Sequence, residues 1–286
     1  MPELPEVETL KRELQKSLSG QRIAKVQVLW PKTIKPLSPL TFQERLANQK
    51  ISGLSRRAKM LILELGEDQH VAFHLKMTGQ LIFVPKIGNL ISGGHPTNDV
   101  QTPGRHTRLI FHFQNGDVLY FNDLRKFGWA RLLNKDELIS SIEHYGPEPL
   151  EKDFTQNYLE NLFSKYPKRT VKQILLDQTL IAGIGNIYAD EACFLAGILP
   201  NRKAGKITNS ESKKLHQKII DVLNLSIKHK GTSSRNYRRS TGEKGNFVKH
   251  LNVYGRANQV CKNCKTQIEK IKHAGRGTHF CPKCQK

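Results

Sequence analysis

The sequence predicts an α+β chain of several parts: a β-sandwich led by one helix, a helical region after it, and a small C-terminal unit built on four cysteines. Three observations carry this prediction. Apolar residues run at helical spacing over the first eighteen positions and then fall into short strand-like segments through about residue 121. Near residue 135 the period becomes helical again, and four of the five cysteines lie in two CxxC pairs inside the last twenty-six residues.

The elements follow in order. Leu4, Val7, Leu10, Leu14 and Leu18 recur at intervals of three and four, and Gly20 supplies the stop. Ile23, Val26, Val28 and Trp30 then open a strand pattern, which continues through Met60–Leu65, 71–75, 80–84, Thr107–Phe113 and 117–121. The last two flank Gln114-Asn115-Gly116, a hairpin signal. Between 80–84 and Thr107–Phe113, the stretch 86–105 is rich in Gly, Pro, Asn and Thr and reads as a long loop. Helices are expected at 136–144, 153–163, 171–180, 187–196 and 210–230, the last with a capping box of Thr208 and Glu211 and a stop at Gly231. Residues 232–247 are polar and basic, with Gly242 and Gly245, and read as a loop.

Charge narrows the partners. Lys and Arg number 46 against 25 Asp and Glu, a net +21 in 286 residues. Residues 201–286 hold 21 basic and 4 acidic side chains, so +17 of that charge lies in the C-terminal third. A folded chain so basic at one end points to a polyanion, foremost nucleic acid, with an anionic membrane surface as the alternative. No basic amphipathic helix with an aromatic face stands out, no uncharged run approaches eighteen residues, and no signal-peptide layout opens the chain. The expectation is a cytoplasmic protein.

The first eight residues, Met1-Pro2-Glu3-Leu4-Pro5-Glu6-Val7-Glu8, carry the sharpest chemistry. Removal of Met1 would leave Pro2 as a secondary amine, and α-amino groups titrate near pH 8, so a modest downward shift leaves a neutral nucleophile able to form an iminium. Glu3 and Glu6 follow within one helical turn as proton donor and charge stabiliser. The plain alternative is that a proline in second place is ordinary and that both glutamates suit a helix's first turn.

Cys261, Cys264, Cys281 and Cys284 form two CxxC pairs separated by sixteen residues, which suits one tetrahedral Zn²⁺; a redox pair is the alternative. A segment this short has no core of its own, so metal would supply its folding energy. Cys193 sits on an apolar helical face as inert core. Gly275-Arg276-Gly277 falls at the expected hairpin tip of this unit, where the guanidinium can take a phosphate bidentately or simply remain solvated. Ile181-Ala182-Gly183-Ile184-Gly185-Asn186 forms a turn between helices, with Asn186 as N-cap, a position that binds phosphate or merely caps.

Taken together, Met1-Pro2-Glu3-Leu4-Pro5-Glu6-Val7-Glu8-Thr9, the stretch from Leu176 to Glu191 and the paired cysteines resemble the formamidopyrimidine-DNA glycosylase family, bacterial enzymes that excise oxidised purines. The resemblance covers essentially the whole chain. It implies a catalytic β-sandwich at 1–134, a helix–two-turns–helix domain at 135–231, a lesion-capping loop at 232–248 and a zinc finger at 249–286. It implies monomeric action on double-stranded DNA containing an oxidised base. Pro2 would be the nucleophile, Glu3 its proton-transfer partner, and Lys59 and Arg276 active-site phosphate ligands. His74, in His74-Leu75-Lys76-Met77-Thr78-Gly79, and Asn186 would also bind phosphate. Met77 would enter the gap left by a flipped base together with Arg125 and Phe127 of Asp123-Leu124-Arg125-Lys126-Phe127-Gly128; without the resemblance, Met77 and Phe127 would read as core. Arg105 is a further DNA-binding candidate. Lys76 and Lys265 stand where relatives commonly have glycine, and Leu124 where they commonly have proline.

Two rival readings explain part of the same pattern. An endonuclease VIII-like glycosylase for oxidised pyrimidines shares the chemistry, but usually has glycine where this chain has Leu4. A non-catalytic zinc-finger nucleic-acid-binding protein explains the charge and cysteines, yet gives no reason for Pro2-Glu3-Leu4-Pro5-Glu6.

Overall fold

Helix α1 (Leu4–Leu18) buries Leu4, Val7, Leu10, Leu14 and Leu18, the stripe its spacing required. Each fully buried leucine of this kind contributes about 1.5–3 kcal/mol. The Glu6 side chain accepts from the Glu3 backbone N–H at 2.9 Å, so one donor orphaned at the helix start is satisfied from within the first turn. The helix ends at Ser19, and Gly20, with φ +86°, turns the chain away. The computed structural model describes residues 1–66, 68–94, 102–232 and 246–286.

The chain forms two compact units, residues 1–143 with 230–246 and residues 144–229 with 247–286. The first is the β-sandwich. One antiparallel sheet has the order β1-β7-β8-β5-β6, made of Ile23–Val28, Thr107–Phe113, Val118–Asp123, Gly79–Val84 and Ile91–Gly94. The other has the order β2-β3-β4-β9, made of Ile51–Arg57, Met60–Leu65, Gln69–His74 and Trp129–Asn134. Inward residues of both sheets, among them Leu63, Phe73, Phe83, Phe111 and Phe121, share one core with the apolar stripe of α1. Gly93 lets β6 lie against the helix, because a Cβ there would stand 2.4 Å from Leu10 Cδ1. Asn115 shapes the β7–β8 turn: its Oδ1 accepts from the Asp117 N–H at 3.1 Å, and Gly116 takes φ +92°.

Four elements of this unit escape the sequence pattern, strands β2 and β9 among them. Helix α2 (Pro39–Leu46) is short, started by Ser38, whose hydroxyl accepts from the Thr41 N–H, and it buries only Phe42 and Leu46. Strand β6 lies inside the stretch read as a long loop, of which 95–101 fall outside the described residues. Helix α3 (Lys135–Ile142) closes the sandwich unit behind a capping box of Asn134 and Glu137.

The second unit contains α4 (Gln156–Lys165), α5 (Val171–Leu176), α6 (Asn186–Ala196) and α7 (Asn209–Lys228), then a hairpin of β10 (Glu269–His273) and β11 (Arg276–Phe280). The four helices share a core through Leu159, Ile174, Tyr188, Ala192, Leu215 and Leu223. Helix α5 stops at Leu176, four residues earlier than the sequence predicts. Asp177 diverts the backbone there, its Oδ1 accepting from the Thr179 N–H at 3.1 Å and from the Thr179 hydroxyl at 2.7 Å. The capping box of Thr208 and Glu211 forms as expected. Among the described residues no helix is long and apolar enough to cross a membrane. The expected loop at 232–247 lies mostly outside the described residues, which resume at Asn246.

Candidate active site and phosphate-binding residues

Pro2 and Glu3 are both buried, Glu3 to 3% exposure, immediately before α1. Proline at position 5 fits the first turn of that helix, where a missing N–H leaves no hydrogen bond unmade. Glu6 has a second task that its sequence position does not reveal. While its Oε2 takes the Glu3 N–H, its Oε1 accepts from the Thr232 N–H at 2.8 Å and the Thr232 hydroxyl at 2.9 Å. Gly231 makes the approach possible, since a Cβ there would lie 3.0 Å from Glu6 Oε1 at φ +82°. The Glu6 carboxylate therefore joins the start of α1 to the segment leading into 233–245. Sequence reading could not find a pair 226 residues apart.

Lys59 and His74 lie at neighbouring strand ends. Lys59 follows Ala58, whose φ of +53° marks a tight left-handed turn between β2 and β3, and Met60 pairs with His74 across the β3–β4 ladder. Both side chains are buried, at 6% and 8% exposure. Glu8 on α1 holds this turn indirectly. It accepts from Arg56 Nε at 3.0 Å, and Arg56 Nη1 donates to the Ala58 carbonyl at 2.9 Å. Burial opposes ionisation of Glu8, but hydrogen bonds from Arg12 and Arg56 outweigh it and keep its carboxyl below the usual range. Burial, reinforced by the positive charges of Lys76 and Lys59, pushes the His74 pKa down to about 3. His74 is thus neutral at physiological pH. Its Nδ1 accepts from the Lys76 N–H at 3.0 Å, which places the ring proton on Nε2 and makes that nitrogen the side chain's donor.

Met77 is 38% exposed in the β4–β5 turn, while Phe127 is 53% and Leu124 48% exposed in the β8–β9 turn. The Arg125 guanidinium stacks over the Phe127 ring at 4.6 Å. Three apolar side chains and a flat cation standing out from a sandwich edge are not core, so reading Met77 and Phe127 as core residues fails here. Lys126 between them, with φ +59°, places its ammonium 3.8 Å from the Trp30 ring centroid and so fixes the far side of the turn. Arg105 is exposed in the approach to β7, where its Nε donates to His106 Nε2 at 3.0 Å and its carbonyl accepts from Arg108 Nη1 at 3.2 Å.

In the second unit the structure brings Asn186 and the Arg276 hairpin together. The N-cap of α6 is Gly185, not Asn186 as the sequence predicts. Asn186 is the first helical residue, and its Nδ2 donates to the Gly277 carbonyl at 2.9 Å. The hairpin tip is Ala274-Gly275, both at positive φ, and Arg276 is the exposed first residue of β11, paired with His273. Beneath it lies a buried network. Lys172, 1% exposed, donates to Asp190 Oδ1 at 2.5 Å, to Thr278 Oγ1 at 2.8 Å and to the Gly277 carbonyl at 3.2 Å. Asp190 Oδ2 accepts the His279 N–H at 2.9 Å. Next to it, the fully buried Glu191 accepts backbone N–H groups of Asn252, Val253 and Tyr254 at 2.8–3.0 Å. Sequence reading missed this anchor, although adjacent acids inside the otherwise apolar Tyr188–Ala196 stretch were a signal, since buried carboxylates demand partners.

The four cysteine sulfurs of the hairpin unit lie within 4.8 Å of one another. Cys261 and Cys284 are 3.9 Å apart at Sγ, and Cys264 and Cys281 are 3.4 Å apart. A zinc–sulfur bond of about 2.3 Å in a tetrahedron requires sulfurs roughly 3.8 Å apart, so the four residues fit one zinc ion. Cys261 and Cys281 also pack with Val253, Ile268 and Phe194 of α6, so the finger shares a small core with the helical region. Cys193 is fully buried, and that burial pushes its thiol far above the usual range, which makes it inert as expected.

Comparison with known proteins accords with this arrangement along the whole length. Residues 1–130 match the family described as Formamidopyrimidine-DNA glycosylase N-terminal domain, 145–238 match Formamidopyrimidine-DNA glycosylase H2TH domain, and 258–286 match Zinc finger found in FPG and IleRS. Formamidopyrimidine-DNA glycosylase of Lactiplantibacillus plantarum is 41% identical over 284 residues, covering 99% of this chain and 98% of that protein. The Carboxydothermus hydrogenoformans enzyme of the same name is 41% identical over 287 residues and 100% of both chains. Among solved structures, a complex between Lactococcus lactis Fpg and an abasic site containing DNA superposes with a TM-score of 0.88 at 36% identity, covering 99% of each chain. A complex of wild-type Lactococcus lactis Fpg with an N7-benzyl-Fapy-dG containing DNA gives 0.87 at 36% identity over 100% of each. The chain belongs to the formamidopyrimidine-DNA glycosylase family.

Proposed function

We propose that this protein removes oxidised purines from duplex DNA and then cleaves the strand, as a combined glycosylase and abasic-site lyase. The observation that carries the reading is the buried Glu3 carboxyl directly beside Pro2 at the start of α1. Once Met1 is removed, the Pro2 nitrogen attacks C1′ of the damaged nucleotide and the bond from C1′ to the base breaks, the base leaving with a proton. Glu3 delivers a proton to the sugar ring oxygen, the C1′–O4′ bond breaks so that the ring opens with O4′ left as a hydroxyl on C4′, and the Pro2 nitrogen lone pair forms the iminium to C1′. The iminium acidifies C2′, so proton loss there expels the 3′ phosphate, and a second elimination expels the 5′ phosphate.

The remaining residues bind and orient. Lys59 and Arg276 supply charge to phosphates, while neutral His74 and the Asn186 amide supply N–H donors. Met77, Arg125 and Phe127 occupy the gap left by the everted nucleotide, offsetting an unstacking cost of a few kcal/mol. Cys261, Cys264, Cys281 and Cys284 hold zinc, which fixes the hairpin bearing Arg276 and takes no part in bond breaking. The partner is double-stranded DNA, met by a monomer.

The test is a duplex carrying 8-oxoguanine opposite cytosine. The protein should release free 8-oxoguanine and leave a one-nucleotide gap with phosphate on both flanking ends, and Glu3→Gln should release little base. Released base with an unbroken strand would remove the lyase step. A strong preference for thymine glycol would instead assign the chain to oxidised pyrimidines.

A further inference from the structure

The turns presenting Met77 and the Arg125–Phe127 pair connect different strands, yet one buried carboxylate serves both. Strands β5 and β8 are neighbours, and their register sets Gly79 opposite Asp123. Asp123 is 0% exposed. Its Oδ1 accepts from the Thr78 hydroxyl and from the Arg125 N–H at 3.2 Å, and its Oδ2 accepts from the Gly128 N–H at 2.6 Å. The Thr78 hydroxyl in turn accepts from the same Arg125 N–H at 3.0 Å. One hydroxyl beside Met77 therefore donates to the acid at the root of the other turn and receives from the backbone of Arg125. Both side chains of this link are buried, Thr78 to 6% exposure.

The surroundings hold the carboxylate in place. Arg108, 7% exposed, donates from Nε to the Asp123 carbonyl at 2.9 Å. Gly128 brings the start of β9 over the acid, where a Cβ would stand 2.8 Å from Phe121 Cζ and 3.1 Å from Asp123 Oδ2. Each turn also contains a strained lysine, Lys76 at φ +49° and Lys126 at φ +59°. Left-handed backbone at a non-glycine residue persists only when its neighbours fix it. A buried carboxylate accepting from the Thr78 hydroxyl and from the Arg125 and Gly128 N–H groups supplies that constraint.

We propose that Thr78 and Asp123 are positioning residues that couple the two turns, so that Met77, Arg125 and Phe127 enter the duplex as one preassembled wedge. The inference rests on the gap-filling role assigned to those three side chains above. Ordering two separate loops at the moment of binding would draw on binding energy, and a shared buried acid removes that cost beforehand. It also sets the origin of the Arg125 side chain relative to Met77, which the reading of the opposite base requires.

The test uses the full-length zinc-loaded protein. Thr78→Val keeps the shape and removes the hydroxyl, Thr78→Ser restores it, and Asp123→Asn removes the charge at constant size. Thr78→Val should slow single-turnover excision of 8-oxoguanine opposite cytosine by about tenfold or more, the loss of one charge-assisted hydrogen bond. It should also narrow the ratio of excision opposite cytosine to that opposite adenine. Borohydride trapping on a single-stranded abasic oligonucleotide, which has no opposite base and no gap to fill, should not change. Thr78→Ser should recover both duplex readouts, Asp123→Asn should repeat the Thr78→Val pattern, and Thr78→Val should add less in an Arg125→Ala background than in wild type. Equal losses on single strand and duplex, no loss on duplex, or full additivity with Arg125→Ala would overturn the coupling. If replacing Met77, Arg125 and Phe127 together with alanine left duplex excision at the wild-type rate, the gap-filling reading would fail. If that triple change slowed excision while Thr78→Val did not, the coupling alone would fail.

Discussion

Replacing His74 by asparagine should make the protein more tolerant of acid, by an amount that follows from the site. His74 is 8% exposed, and burial with the nearby Lys76 and Lys59 charges lowers its pKa to about 3 from an unfolded value of 6.5. Between those values the unfolded chain binds a proton that the folded chain refuses. The stability tied to neutral His74 is thus fully present above pH 6.5 and is lost as pH falls toward 3. One proton corresponds to about 1.4 kcal/mol per pH unit, so between pH 7.5 and 4.5 the loss is roughly 2.5 kcal/mol. Asparagine places an amide oxygen where His74 Nδ1 accepts the Lys76 N–H, so the turn before Met77 keeps its hydrogen bond. His112, His250 and His273, also lowered chiefly by burial, titrate in both proteins and cancel in the difference. Urea unfolding of wild type and His74→Asn at half-unit pH steps reads that difference directly. The two stability curves should converge as pH falls, wild type losing more. Parallel curves would refute a neutral, desolvated His74 and the N–H phosphate contact built on it.

Removing zinc should act on the hairpin unit and leave the sandwich folded: Cys281→Ser should bind less than one Zn²⁺ per molecule and lose DNA affinity, and equal affinity of metal-free and zinc-loaded protein would contradict this. Arg276→Ala should weaken binding to all sequences alike and make the slope of log K against log salt shallower by about 0.9, the increment for one neutralised phosphate; an unchanged slope would leave Arg276 a solvated turn residue. Arg125 has donors only, which match the O2 and N3 acceptors of cytosine but meet the N6 amino donor of adenine. Excision opposite cytosine should therefore exceed that opposite adenine by about ten- to a hundredfold, the worth of one lost or repelled hydrogen bond, and Arg125→Ala should narrow the ratio.

Much of this molecule was legible where a local pattern had one physical cause. The stripe of α1 required one buried face, the Thr208–Glu211 box started α7, and two CxxC pairs brought four sulfurs within reach of one ion. What stayed hidden depended on pairs distant in sequence or on backbone angles. Strand β6 is four residues long and ends on two glycines, and its existence depends on pairing with β5 and on the space Gly93 gives to Leu10. The end of α5 turned on an Asp177 side chain competing for backbone donors. Two departures from the family's usual residues gain an explanation: Lys76 and Lys265 both have positive φ, at 49° and 65°, where glycine meets no steric cost. The candidate site was legible as residue types, through the N-terminal stretch and the resemblance it carried. Its supports were not, because Glu6–Thr232, Thr78–Asp123 and Lys172–Asp190 are contacts that only folding creates.

The central claim is that the reacting atom is the nitrogen of Pro2. It is tested most directly by reducing the reaction with borohydride on a duplex containing a preformed abasic site, using protein from which Met1 has been removed, and then mapping the cross-linked peptide by mass. The account predicts one DNA adduct per molecule on the N-terminal peptide, located at Pro2, and none when Met1 is retained. An adduct at Lys59 or any other lysine, or equal trapping with Met1 in place, would contradict it.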